Sequence, residues 1–185
     1  MNAVATQSIV GTWNIDPTHS AVEFTAKHMM ITKVRGRFGK VEGSVTLPSE
    51  DIQTASVDVK IDAASIDTRT GQRDDHLKSG DFLDVANYPQ ITFRSRRVEG
   101  SLEGSDLKVI GDLEIRGTSR EVELDVEFEG HGLDPWGGER ISFSADTKID
   151  RREFGLTWNQ ALETGGVLVG NDIRIHLDIQ LVKQA

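Results

Sequence analysis

The chain has 185 residues, of which 37% are hydrophobic and 28% charged, a composition typical of one soluble globular domain. Its net charge of −9 at pH 7 argues against nucleic-acid binding. Cysteine is absent, which excludes disulfide bonds and thiolate metal sites. Because no apolar run approaches the ~20 residues of a membrane-spanning helix, stable membrane insertion is not expected.

The first strands follow a polar lead-in at residues 1–9, which we expect to be flexible. Gly11 and Trp13 form a G-x-W pattern similar to the start of lipocalin barrels, where the tryptophan closes one end. A core tryptophan at a strand start is the alternative. Apolar and polar residues then alternate over 22–28, as in a half-buried strand. His28 lies on the apolar face of this strand, either as a core histidine or as a ligand-binding one.

Alternation continues through two more predicted strands. Over residues 34–47 the apolar face changes parity between Phe38 and Val41, which predicts a β-bulge near Gly39. Residues 55–63 alternate most regularly of all and predict another strand.

The pattern changes in the segment 68–89, which we call the lid segment. Asp74 and Asp81 are placed to cap two short helices, and Tyr88 precedes a proline that prevents further helix. The segment is too apolar for a free loop, and we expect it to cover the mouth of a β-barrel with the side chains of Leu77, Phe82, Leu83 and Val85.

The second half of the chain reads as strands separated by short turns. Turn residues occur at 100–105, 116–119 and 170–171, where Gly-Asn indicates a two-residue hairpin. Eight or more short antiparallel strands predict a sandwich or a barrel. Small residues on the inward faces leave space for one ligand, although a well-packed core would show the same pattern.

Residues that carry chemistry are sparse. The five histidines are scattered, and no nucleophile or phosphate-binding motif is present. The one site-like cluster is Asp74-Asp75-His76, which is either an acid–base or metal group or an ordinary helix start. A basic rim that would suit an anionic head group, or ordinary surface charge, is formed by Arg35, Arg37, Arg73, Lys78, Arg151 and Arg152.

Several segments together resemble the YceI-like family, at 16–24 with His28, 34–38, 65–68, 73–79, 81–84, 88–93, 111–117 and 151–155. The resemblance implies an extended, lipocalin-like antiparallel barrel whose apolar pore holds a polyisoprenoid or similar long-chain amphiphile. It supplies no catalytic set. Many members are exported to the periplasm, whereas residues 1–10 lack the basic start and apolar core of a signal peptide, so we expect a cytoplasmic protein.

These observations predict an all-β fold, an extended lipocalin-like antiparallel β-barrel of about eight strands with a short helical lid. We expect a single domain at residues 10–185. No catalytic or metal-binding residues are predicted. The candidate residues for lining the pore and the lid are Phe24, His28, Phe38, Val59, Ile61, Leu77, Phe82, Leu83, Phe93, Leu113, Ile115, Phe143, Phe154 and Trp158. The candidates for a head group are Arg35, Arg37, Arg73 and Lys78.

The function expected from this pattern is binding, storage or transport of a long-chain isoprenoid or similar lipid, with no cofactor other than a bound polyisoprenoid or fatty-acid-like lipid. The alternative is an enzyme or redox accessory protein that acts on an isoprenoid or quinone-type lipid through Asp74, Asp75 and His76. The long-chain lipid is the expected partner, and a homodimer is left open.

Overall fold

The structure, a computed structural model, describes residues 8–185. Within these residues, eleven strands form one antiparallel sheet. In chain order they are β1 Gly11–Ile15, β2 Ala21–His28, β3 Thr32–Phe38, β4 Val41–Leu47, β5 Ser56–Asp62, β6 Ile66–Asp67, β7 Gln90–Glu99, β8 Lys108–Ile115, β9 Thr118–Leu133, β10 Glu139–Asp150 and β11 Val169–Lys183.

Eight of these strands close into a barrel. The order β1-β4-β5-β7-β8-β9-β10-β11 returns to its start because β1 also pairs with β11, with Ile15 opposite Leu181. Closure leaves no free edge in this part of the sheet, and about eight strands enclose an interior wide enough for side chains or one small ligand. The predicted antiparallel barrel is confirmed.

The remaining three strands extend one side of the barrel. The edge of β11 is shared, since its end near Lys183 pairs with β1 and its start, from Val169 to Asp178, pairs with β2. From β2 the sheet continues to β3 and the two-residue β6. The wall is therefore taller along β11, β2 and β3, and the end of the barrel beside these strands is its lid end.

The lid segment differs from the prediction in its helices. One helix, α1, covers Gly71–Lys78, with Thr70 at its N-cap, so Asp74 lies inside the helix and is not its cap. The predicted second helix after Asp81 is absent. Residues 80–83 form turns, in which Phe82 N donates to the carbonyl of Ser79 and Leu83 N to that of Leu77. In the described part of the chain, no helix is long and apolar enough to cross a membrane.

The glycines at positions 39 and 170 also have structural roles other than the predicted ones. The parity change near Gly39 is not a bulge, because β3 and β4 are not paired; the chain leaves the β2–β3 extension there and enters the closed ring. Residues 170–171 are not a hairpin but lie within β11, where the register to β2 shifts between Val169 and Ile173. A bulge and a tight turn favour the same residues, which explains the error. The turns at 100–105 and 116–119 do join paired strands, as predicted.

The end of the barrel opposite the lid is closed by Trp13. Its side chain is fully buried, and its indole N–H donates to the carbonyl of Ile9 at 2.8 Å. The ring of His131 packs edge-on against it at 5.9 Å, and Lys183 Nζ lies 5.3 Å from its centroid. Ile9, which falls in the predicted lead-in, is buried in the core, whereas residues 1–7 of that lead-in lie outside the described residues.

Candidate functional site

The interior of the barrel contains a cavity of about 310 Å³. Its accessible wall is formed by apolar atoms in the part of the chain that the structure describes. Each strand contributes alternate residues, because successive side chains of a strand point to opposite faces. Of the predicted lining residues, the structure places at this cavity Phe24, Phe38, Val59, Ile61, Leu77, Phe82, Leu83, Phe93, Leu113, Ile115 and Phe143.

The cavity is long and narrow. On β11 its wall runs from Val169 to Leu181. The part after the register shift, from Ile173 to Leu181, is by itself roughly 26 Å of strand at about 3.3 Å per residue, or about 20 Å along the barrel axis for a tilt near 40°. Such a shape fits an extended hydrocarbon chain better than a compact ligand.

Small inward residues shape this cavity in two ways. Ala26 and Ala145 line it directly. Gly36 instead makes room for an aromatic ring, since a Cβ on it would lie 2.3 Å from the ring of Phe24. Gly111 does the same for Phe93, with a Cβ only 2.7 Å from the ring. The small residues expected to leave empty space therefore also make room for phenylalanine rings.

The lid segment seals the cavity at its lid end. Phe82 and Leu83 are buried and Leu77 is half-buried, and all three line the cavity. The ring of Phe82 packs against Trp158 at 5.4 Å, and its backbone carbonyl accepts a hydrogen bond from Arg116 Nη1 at 2.9 Å. The lid is thus fixed both to the 3₁₀-helical connection after β10 and to the β8–β9 turn.

Polar contacts, rather than apolar burial, hold α1 in place. Thr68 is buried, and its hydroxyl donates to Asp74 Oδ1 at 2.6 Å while accepting from Arg73 Nε at 2.7 Å. At the other end of the helix, His76 Nε2 lies 2.9 Å from Asp81 Oδ2. None of the residues of α1 is buried.

The predicted Asp74-Asp75-His76 cluster does not converge on one point. Asp74 turns towards Thr68, His76 packs between Phe82 and Trp158, and Asp75 is exposed. Within residues 8–185 there is no group of three or more His, Asp or Glu side chains arranged to hold a metal ion. Asp74 and His76 fasten the helix through separate contacts, and Asp75 takes part in neither.

Arg151 belongs to the cavity wall, a position that the sequence did not reveal. It begins the 3₁₀-helix Arg151–Phe154, is 3% exposed and lines the cavity with its side-chain stem. Its guanidinium turns away and donates to the backbone carbonyls of Leu156, Trp158, Val169 and Gly170. Burial lowers the pKa of the guanidinium from its ordinary value. A buried arginine gives no periodic signal in the sequence, so alternation could not reveal it.

Three predicted lining residues lie elsewhere. His28 is the last residue of β2 and pairs with Val169 and Thr32 outside the cavity wall. Phe154 is buried in the core behind the wall, and Trp158 packs on the outer side of Phe82. The prediction followed strand parity and apolar character, whereas these positions lie at or beyond strand ends, where parity no longer determines direction.

The four predicted head-group residues are spread along β3 and α1. Arg37 pairs with Asp67 at 3.4 Å, and Arg73 is engaged by Thr68 and Thr70. Arg35 is exposed and Lys78 half-buried, and neither has an ion pair among the described residues. None of the four reaches the cavity wall.

The prediction from sequence also selected too few lining residues on strands β9, β10 and β11. Alternation was recognised in these strands but only one of their residues was selected. A consistent parity assignment would have found the others, which are Val122, Leu124, Val126, Ala145, Thr147, Ile149, Val169, Ile173, Ile175, Leu177, Ile179 and Leu181.

Solved structures share this architecture. A YceI protein of Campylobacter jejuni superposes with a TM-score of 0.73 at 28% identity, covering 86% of this chain and 90% of that chain. A domain from Saccharophagus degradans described as polyisoprenoid-binding superposes with a TM-score of 0.66 at 14% identity, covering 93% of this chain and 98% of that chain.

Sequence comparison reaches the same group of proteins. A UPF0312 protein of Staphylococcus aureus strain USA300 is 39% identical over 163 residues, which cover 88% of this chain and 92% of that protein. The family model for the YceI-like domain matches residues 13–181, from the tryptophan that closes one end of the barrel to the last cavity residue of β11. With the barrel, the extension and the lid in place along that whole range, the chain belongs to the YceI-like family.

Proposed function

We propose that this protein binds a long-chain isoprenoid or a similar amphiphilic lipid in the barrel cavity. The observation that carries the proposal is the apolar wall, which offers an extended hydrocarbon surface. Among residues 8–185 no polar atom is accessible in the cavity at which a polar substrate would be held. The polyisoprenoid-binding description of the Saccharophagus degradans domain, which has the same fold, supports this ligand class.

Apolar burial supplies the affinity of such a site. Each buried CH₂ contributes about 0.8 kcal/mol, so a chain of many carbons is held tightly once it is enclosed. Exchange then requires an opening, and the lid segment is the element whose removal exposes the cavity at Leu77, Phe82 and Leu83. These features suit storage or transport, in which a ligand is kept until the lid opens.

The polar end of the lipid belongs outside the cavity. Because the wall is apolar, a charged or hydroxylated head group buried there would lose its hydration without compensation. Arg35 and Lys78 are the predicted cations that remain without an ion pair among the described residues. We assign to them the role of meeting an anionic head group at the lid end.

Filling the cavity tests the proposal. Ala145 lines the cavity and is 7% exposed, so Ala145→Trp places an indole where the chain would lie. We expect native mass spectrometry and lipid extraction to show at least a tenfold loss of bound lipid, with the β-sheet circular dichroism retained. The control is Lys148→Trp, which adds the same ring on the outer face of the same strand.

The two variants distinguish the possible results. Retention of lipid by Ala145→Trp at the level of wild type would place the ligand elsewhere and contradict the proposal. Loss of lipid from both variants would indicate a general effect of the added ring. A lipid-dependent turnover that depends on His76 would instead support the enzyme alternative.

A further inference from the structure

The tip of the β2–β3 hairpin exposes three consecutive apolar residues. Met29, Met30 and Ile31 are 45%, 56% and 80% exposed. Met29 and Met30 have φ angles of 53° and 65°, in the left-handed region that glycine and asparagine adopt more readily. A turn at which Gly or Asn would relieve strain therefore carries two large apolar side chains in water.

The strands that lead to this tip are basic. Lys27 and Lys33 lie directly opposite each other in the β2–β3 register, and Arg35 follows on the same outer face. Like charges opposed across a strand pair destabilise it. None of these three cations has an ion pair in residues 8–185. The loop whose Gly166 lies beside Met30 brings one acid, Glu163, and Asp172 on the neighbouring β11 is paired with Lys148. The tip is thus a cationic surface on a chain whose net charge is −9.

The tip lies beside the lid end of the cavity. Met29 N donates to the carbonyl of Leu168 at 2.8 Å, and the next residue, Val169, lines the cavity. The carbonyl groups of Val169 and Trp158 both accept from Arg151, and Trp158 packs on Phe82 of the lid. A short chain of contacts therefore joins the hairpin tip to the residue that seals the cavity.

We propose that the tip of the β2–β3 hairpin docks on the surface of an anionic phospholipid bilayer. Met29, Met30 and Ile31 enter the boundary between head groups and acyl chains, and Lys27 and Lys33 lie among the lipid phosphates. The negative surface removes the repulsion between the two lysines, and the acyl boundary removes the exposure of the methionines. Docking at this end places the lid over the bilayer, which is the source of a long-chain lipid.

The charge distribution orients the barrel on an anionic bilayer with its hairpin end towards the surface. The outer face of β9, with Glu121, Glu123, Asp125, Glu127 and Glu129, is acidic and would repel an anionic surface. It is separated from β2 by β10 and β11 in the sheet. At physiological salt this repulsion is screened over about 8 Å, so the barrel can approach with the hairpin alone.

Vesicle co-sedimentation tests the docking. We expect the full chain to bind vesicles of phosphatidylglycerol and phosphatidylcholine, to bind pure phosphatidylcholine at least tenfold more weakly, and to lose binding at 1 M salt. Met30→Ser with Ile31→Ser weakens binding tenfold or more, and Lys27→Gln with Lys33→Gln weakens it about fivefold per lysine removed. The control is Trp136→Ser, which removes an 87% exposed apolar residue at the opposite end of the barrel.

A second variant separates docking from folding. Met29→Asn with Met30→Gly relieves the left-handed strain at both positions. We expect this protein to melt at the same temperature as wild type or higher, yet to bind anionic vesicles at least tenfold more weakly. If the tip residues served only the fold, the melting temperature and the vesicle binding of this variant would rise or fall together.

Three outcomes would overturn the proposal. The first is that the wild-type chain does not bind anionic vesicles. The second is that the hairpin variants bind them as tightly as wild type. The third is that Trp136→Ser weakens vesicle binding as much as the hairpin substitutions do. A concentration-dependent dimer that the hairpin variants abolish, without vesicle binding, would assign the tip to a second copy of the chain. Docking is separable from the cavity proposal, because Ala145→Trp is expected to bind vesicles normally, whereas the hairpin variants keep lipid already in the cavity.

Discussion

Arg151 shows how one residue can connect several loops of this fold. Its guanidinium donates to two backbone carbonyls in the connection after β10, those of Leu156 and Trp158, and to two at the start of β11, those of Val169 and Gly170. Its stem forms part of the cavity wall. Buried carbonyl groups without a donor are costly, so this side chain helps to fix the connection against the start of β11.

Replacing Arg151 by Met keeps the stem but removes every donor. We expect Arg151→Met to lower the free energy of unfolding by about 3 kcal/mol. The carbonyls of Leu156, Trp158 and Gly170 lose the arginine as donor, whereas that of Val169 keeps the amide of Asn159. Urea unfolding followed by tryptophan fluorescence measures the change. The neighbouring Arg152, exposed and paired with Asp150, is the control, and Arg152→Met is expected to leave stability nearly unchanged. Equal effects of the two substitutions would contradict this role.

Asp16, at the corner between β1 and β2, makes a pH-dependent contribution to the free energy of unfolding. A hydrogen bond from the Thr18 hydroxyl, then those from His19 and from Arg140 at 2.7 Å, lower the pKa of its carboxyl well below the ordinary range, against the opposing effect of burial. A folded-state pKa below the unfolded value adds stability above pH ~4 that is lost as the pH falls towards the folded pKa.

We therefore expect Asp16→Asn to be less stable than wild type by about 2 kcal/mol at pH 7, and the difference to shrink steadily below pH 4. Urea midpoints measured from pH 7 down to pH 2.5 give this difference directly. Glu163→Gln, at an exposed position without an ion pair among the described residues, is the control. A difference that stays constant with pH would show that Asp16 acts through packing alone.

At the scale of elements, α1 is the part of the barrel least supported by burial. It has eight residues, none of them buried, and helices this short are not stable alone. The Thr68 hydroxyl joins Asp74 and Arg73, so the helix depends on one buried polar group. Such an element is expected to open locally before the strands do.

Thr68→Val removes the hydroxyl with little change in volume. We expect amide hydrogen exchange in residues 71–78 to become at least tenfold faster, while the strands around Leu177 exchange as in wild type. Release of a fluorescent polyene lipid, measured by stopped flow, should accelerate in parallel. Thr46→Val on the outer face of β4 is the control. Unchanged exchange in α1 would show that the hydroxyl does not hold the lid.

The elements that alternation defines were predictable, and those set by local polar contacts were not. Strands such as β5 and β10 follow from period-two patterns alone. The start of α1 was misplaced because Asp74 binds Thr68 across the preceding turn, a contact that the sequence does not distinguish from a cap. Gly39 was misread because the parity change marks the passage from the extension to the closed ring.

At the scale of the whole molecule, an empty cavity is a cost that a ligand offsets. Wall residues around a void lose dispersion contacts, and a ligand that binds only the folded state stabilises it by mass action. We expect protein stripped of lipid by refolding from denaturant to melt about 5–10 °C below protein that has been reloaded to 100 times Kd.

The comparison is made by calorimetry on stripped, reloaded and freshly purified samples. Ala145→Trp supplies the control, because its filled cavity should make its melting temperature insensitive to added lipid. A stripped wild-type protein that gains nothing from lipid would contradict binding in the cavity. The cavity residues on the strands were as predictable as the strands themselves, because alternation determines which side chains point inwards. The positions of Phe154 and Trp158, which lie outside the strands, could be found only from the three-dimensional structure.

The apolar wall has a consequence for selectivity. A site that hydrogen-bonds its ligand rejects an analogue lacking the matching group by large factors, whereas a hydrocarbon surface distinguishes one methylene by only about 1–3 kcal/mol. Lipids with the same tail and polar ends of the same charge should therefore compete on nearly equal terms, while saturation, branching and length set the ranking. If the cavity holds a lipid as proposed, we expect the width and length of the tail to set the preference, and the tails available in the cell to decide which lipid is bound.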